Sequence, residues 1–197
     1  MTEFFVYLKL GFQHITDLNG FDHILFLLAL CAIFSLESWR KVIILVTAFT
    51  VGHSLTLALA VLEVFPVNTS LVELIIPITI LITCLFNFAY KFPKSLTGIR
   101  QRDNQKNRYL LAVIFGLIHG LGFSSYLKSL LGSENSILTP LFSFNVGLEL
   151  GQLLIVFIAL IINMVLTEFF KVRKKSWNHI LSGIVFGMAL MMVFDRI

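Results

Sequence analysis

The apolar residues of this chain gather in six long stretches, at roughly 20–37, 41–62, 71–90, 109–131, 140–170 and 177–195. Each approaches or exceeds the roughly 20 residues that an α-helix needs to cross a bilayer's hydrocarbon core. Ahead of them, residues 3–19 are amphipathic and interrupted by Lys9, His14 and Asp17. That segment is too polar to span and is expected to lie at the interface or to re-enter the membrane. No polar stretch between the apolar ones is long enough to fold as a soluble unit. The pattern therefore predicts an all-α polytopic membrane bundle of about six transmembrane helices plus an N-terminal interfacial or re-entrant segment, with residues 1–197 as a single transmembrane domain.

Composition agrees with the pattern. The chain is 57% hydrophobic and 13% charged, with a mean hydropathy of +0.91, whereas a soluble domain carries roughly 25% charged residues. A net charge of +4 would suit a nucleic-acid binder, but the distribution of charge excludes one. Lys91, Lys94, Arg100, Arg102, Lys106 and Arg108 share one connection with a single acid, Asp103. By the positive-inside rule that connection is cytoplasmic. Arg40 and Lys41 then fall on the same side, as do Lys171, Arg173, Lys174 and Lys175, whereas the connections Glu63–Glu73 and Gly132–Thr139 contain no Lys or Arg. This arrangement puts both termini on the non-cytoplasmic face. Cys31 and Cys84 lie inside apolar runs and read as small buried hydrophobes. The N-terminus lacks a basic region and is not expected to be a cleavable signal peptide.

Ionisable residues inside the spans change the picture from scaffold to site. His53 lies twelve residues past Lys41, roughly 18 Å above the inner surface at 1.5 Å per residue. By the same measure His119 and Glu149 reach the layer between the midplane and the outer surface, with Asp22 and His23 at the outer mouth of the first span and His14 just before them. Such groups are costly in hydrocarbon, so each is a functional candidate. Each also has a plainer role: a lone histidine bonding a neighbouring helix, a protonated Glu149, Asp22 as a helix N-cap. Their shared depth favours a common site. Asn145, Glu149 and Gln152 occupy one face of the fifth span, and Thr50, His53 and Ser54 one face of the second, so Thr50, Ser54, Asn145 and Gln152 are supporting candidates. Gly116, Gly120 and Gly122 around His119 permit close helix approach, and Gly183 and Gly187 read as a packing face. Imidazole with carboxylate suits zinc, nickel, cobalt or iron better than magnesium or calcium. The expected metal ligands are His14, Asp22, His23, His53, His119 and Glu149. His179, beside the inner basic run, is set aside. The inner half offers only Asn87, Asn163 and scattered hydroxyls, a sparse exit path.

The stretches "GFQHITDLNGFDHILFLLAL", "TAFTVGHSLTLALA", "FGLIHGLGFSS" and "FNVGLELGQLL" resemble the HupE/UreJ family of small membrane proteins along nearly the whole chain. A weaker similarity extends to nickel/cobalt permeases, whose motifs join a His to an Asp-His and later a Gly-His-Ser. Here these fall on His14, Asp22 and His23, then Gly52, His53 and Ser54. Seven residues separate His14 from Asp22, where the permease motif has only a few. The resemblance implies a place in nickel supply for hydrogenase or urease, in a bacterial inner (cytoplasmic) membrane.

Three functions follow, in descending order. The first is a permease for a divalent transition metal, nickel or cobalt. The second is an intramembrane zinc hydrolase acting on a lipid or membrane-anchored peptide, with Glu149 or Asp22 as general base; no HExxH motif is present. The third is a metal-binding sensor or assembly factor. The implied partners are membrane lipid, the metal ion, and a second copy of the chain or a metalloenzyme-maturation protein.

Overall fold

The structure is a computed structural model and describes residues 2–92, 105–131 and 136–197. The basic connection expected to be cytoplasmic falls largely at 93–104, and part of the connection expected on the opposite face falls at 132–135; both stretches lie outside the described residues. The described residues form eight α-helices and no strand: α1 (Glu3–Thr16), α2 (Asp22–Cys31), α3 (Trp39–Val61), α4 (Thr69–Phe88), α5 (Gln105–Gly122), α6 (Ser124–Leu131), α7 (Leu138–Met164) and α8 (Lys174–Phe194).

Four stretches are long and apolar enough to cross a membrane: Leu36–Val61, Thr69–Phe88, Leu138–Phe169 and Lys174–Phe194. Helices α5 and α6 make a fifth span if the 52° bend between them is a break within one crossing. The expected span at 20–37 is different in kind, because only Asp22–Cys31 is α-helical there. Ten residues reach about 15 Å, half of a hydrocarbon core.

A half-length helix in the membrane leaves its last carbonyls short of donors; the Ala32 and Phe34 amides bond the Ala29 and Cys31 carbonyls, and two asparagines add further donors. The Asn87 amide on α4 donates to the Ala29 carbonyl at 2.7 Å. The Asn163 amide on α7 donates to the Cys31 and Phe34 carbonyls at 3.2 and 2.8 Å, and Trp177 on α8 donates its indole N–H to the Asn163 side-chain oxygen. The two amides that looked like stepping stones toward an exit thus hold the end of α2. Pro77 inside α4 creates a similar debt. It removes the amide that would bond the Glu73 carbonyl, and the Arg196 guanidinium donates to that carbonyl.

Two helix pairs pack with their backbones nearly touching. On α3 and α5, a Cβ at Gly52 would strike the Val113 carbonyl, one at Gly116 the Phe49 carbonyl, and one at Gly120 the His53 carbonyl. On α1 and α7, Gly11 meets Phe144 and Leu148, Gly147 meets Leu8 and Phe12, and Gly151 meets Ile15 and Phe12. These contacts advance together along both chains, so α1 runs parallel to α7. The segment expected to be interfacial or re-entrant packs on the bundle along α7, burying Tyr7, Gly11 and Ile15. Small residues allow this approach where water gives no hydrophobic drive between helices. Gly183 and Gly187, expected as a packing face, have none of the described residues within 4 Å of where a Cβ would stand.

A candidate metal centre among three histidines

The two close-packed pairs and the short helix carry the histidines. His53 and His119 sit where α3 and α5 touch, between Gly52, Gly116 and Gly120. His14 occupies the last turn of α1, and Asp22 and His23 open α2. Because α1 lies along α7 and α2 begins after the turn at 17–21, the N-terminal segment brings His14 and His23 to the α3–α5 contact.

One nitrogen from each of His14, His23 and His53 lies within 4.8 Å of the other two. The ring centroids are 4.7 Å apart for His14–His23, 5.8 Å for His23–His53 and 6.1 Å for His14–His53. His119 stacks edge-on to His23 at 5.1 Å. It lies beside the trio of nitrogens and is not part of it. His23, His53 and His119 are at most 4% exposed.

Neighbouring groups fix which nitrogens are bare. The Asp22 Oδ1 lies 3.0 Å from His23 Nδ1 and accepts the His23 backbone N–H at 2.8 Å. A carboxylate only accepts, so Nδ1 carries the proton and Nε2 keeps its lone pair. The Thr79 hydroxyl has one proton and donates it to the Ile76 carbonyl at 2.7 Å. Its oxygen, 3.0 Å from His119 Nε2, then accepts from that ring, leaving Nδ1 of His119 bare. His14 Nε2, His23 Nε2, both nitrogens of His53 and Nδ1 of His119 are all buried with no hydrogen-bond partner among the described residues. An unpaired buried polar atom costs about 1–3 kcal/mol, and several at one place are hard to sustain unless something binds there. Bare imidazole nitrogens backed by a carboxylate or hydroxyl are the usual form of histidine metal ligands. Asp22 is thus placed behind His23.

The remaining candidates line the α3–α7 contact. Thr47 donates to Glu149 Oε1 at 2.7 Å, Thr50 to Gln152 Oε1 at 2.6 Å, and Ser54 to Asn145 Oδ1 at 2.6 Å. Thr50, Ser54, Asn145, Glu149 and Gln152 therefore form a polar ladder between two helices. Among the described residues, Glu149 belongs to no group able to share an ion with the histidines. Thr79 and Phe123 were not singled out from the sequence. A hydroxyl is common in membrane helices as a packing group, and Thr79 differs only in its tertiary partner. Phe123 is one of twenty phenylalanines. The Gly122-Phe123-Ser124 junction, where α5 ends, was the only local sign of its position.

No curated protein and no solved structure matches this chain. The family model described as HupE / UreJ protein matches residues 1–196, and the chain belongs to that family.

Proposed function

We propose that this protein is a permease whose cargo is a divalent transition metal, nickel or cobalt, held in transit by His14, His23 and His53 with His119 beside them. The observation that carries the reading is the set of bare, buried imidazole nitrogens converging from α1, α2 and α3 inside a membrane bundle. Neutral imidazoles replace a hydration shell without adding charge, and Asp22 behind His23 supplies one compensating negative charge. Borderline nitrogen ligands favour nickel, cobalt or zinc over magnesium or calcium, and family membership favours the first two. Residues 1–197 act as one membrane domain, with the basic connections cytoplasmic and both termini on the opposite face. An enzyme reporter that works only in the cytoplasm would be active near Gln101 and silent after Ile197; the reverse pattern would invert the orientation.

The arrangement is less favourable to a zinc hydrolase. A general base must reach the metal-bound water, yet Glu149 accepts from Thr47 on the α3–α7 ladder and Asp22 is engaged by His23. The test is uptake of nickel into sealed vesicles containing the purified protein. Uptake above empty vesicles that disappears in His53→Ala supports the permease. Stoichiometric nickel binding without uptake would leave a sensor or assembly factor.

A further inference from the structure

Beside the histidine cluster is a cavity of about 750 Å³, bounded by Gln13, His14, Asp17, Asn19, Phe123 and Tyr126. His14 forms part of its wall. His23 and His53 are not among its lining residues, so an ion arriving through it meets His14 first.

Phe123 stands at that boundary. Its ring lies 3.8 Å from the His14 ring, centroid to centroid, tilted by 34°. It also stacks on Phe144 at 5.1 Å and 16°, and Phe144 itself lies 5.9 Å from His14, so the three rings form a triangle. The imidazoles of His23 and His119 are oriented by a carboxylate and a hydroxyl, whereas His14 is flanked by these two rings. Phe123 also occupies the only residue between α5 and α6, where the chain bends by 52°. The Ser124 hydroxyl satisfies the Leu121 carbonyl at 2.7 Å, so the break is stable as a break. A side chain on such a junction can swing by small backbone rotations without disturbing the glycine-packed part of α5 that holds His119.

We propose that Phe123 is the aromatic gate between this cavity and the three-histidine cluster. The inference rests on reading that cluster as a metal site. With the ring in place, the ion passes between this cavity and the cluster only when Phe123 moves; with the ring removed, the ligands persist and that path stays open. A gate slows entry and exit together, whereas a simple packing residue alters affinity.

The experiment is stopped-flow binding and release of Ni²⁺ by the purified full-length protein in detergent. In Phe123→Ala both association and dissociation should rise about tenfold, with Kd changing less than about threefold, as expected when a lid is removed from an intact site. Phe123→Tyr, which keeps the ring, should restore slow exchange. Unchanged association in Phe123→Ala, or lost affinity with unchanged association, would overturn the gate. A metal-free measurement keeps the two readings separate. The thiol of His53→Cys should react faster with a small cationic methanethiosulfonate when Phe123→Ala is added, with the buried Cys31 and Cys84 as the reference. If the wild-type protein binds no Ni²⁺, the metal reading falls and this thiol rate alone decides the gate: acceleration sustains it and no acceleration removes it.

Discussion

Replacing Gly116 by Ala tests whether the α3–α5 contact sets the geometry of the cluster. A Cβ at Gly116 would stand 2.9 Å from the Phe49 carbonyl carbon and 3.1 Å from the His53 backbone nitrogen, and closer still to the Phe49 carbonyl oxygen. Ordinary contact begins near 3.4 Å. Both neighbours are backbone, so no rotamer change relieves the overlap, and the helices must part by at least about 0.5 Å. Overpacking of this kind costs about 1–3 kcal/mol, and the rigid opposing backbone puts it toward the upper end. Exchanging Gly for Ala within a helix returns about 0.5–1 kcal/mol, so the expected net loss is about 2 kcal/mol. Because His53 sits on the displaced segment, its nitrogen moves away from His14 and His23. Binding sites tolerate about 0.5 Å of such misplacement, so nickel affinity should fall about tenfold or more. The control is Gly183→Ala, where none of the described residues stands within 4 Å; it should be neutral or slightly stabilising. Thermal unfolding in detergent and calorimetric nickel titration read both quantities. Equal stability of the two variants, with wild-type nickel affinity in Gly116→Ala, would refute the reasoning.

Asp22→Asn should weaken nickel binding about 10- to 100-fold, the usual effect of removing the charged partner behind a metal-bound histidine. Asp17→Asn, whose carboxylate meets only the exposed Asn19, should leave calorimetric affinity unchanged. Glu149→Gln should keep full nickel content, since the new amide oxygen can still accept from Thr47. Elemental analysis showing a large loss in that variant would return Glu149 to the ligand set.

The parts of the architecture governed by simple periodicity were legible from sequence. Long apolar runs announce α3, α4, α7 and α8 because hydrocarbon thickness dictates their length. Helix α2 escaped that logic. Its apolar run continues to Phe34, but the helix stops at Cys31, where the Ala32 and Phe34 amides and the distant Asn87 and Asn163 side chains together satisfy carbonyls that would otherwise be costly in the membrane. The histidines were visible because ionisable groups stand out against an apolar background. Their shared depth suggested one site, but which rings face one another was not legible, since that depends on α1 lying parallel to α7, a pairing made by Gly11, Gly147 and Gly151. Glu149 shows the limit of depth arguments: similar height was expected to mean shared function, but rotation about the α7 axis turns the carboxylate toward Thr47. Gly183 and Gly187 show the same limit for packing motifs, for spacing alone does not say whether a second helix is present.

The central claim is that imidazoles from α1, α2 and α3 form one ion site within the bundle. Its most direct test is nickel content after equilibration and desalting, measured by elemental analysis on the wild-type protein, on His14→Ala, His23→Ala and His53→Ala, and on His179→Ala as control. The account predicts about one ion per chain in the wild type and His179→Ala, and strong depletion in each of the other three, because an incomplete ligand set binds far more weakly. Full nickel content in His53→Ala, or loss of the ion in His179→Ala alone, would contradict it.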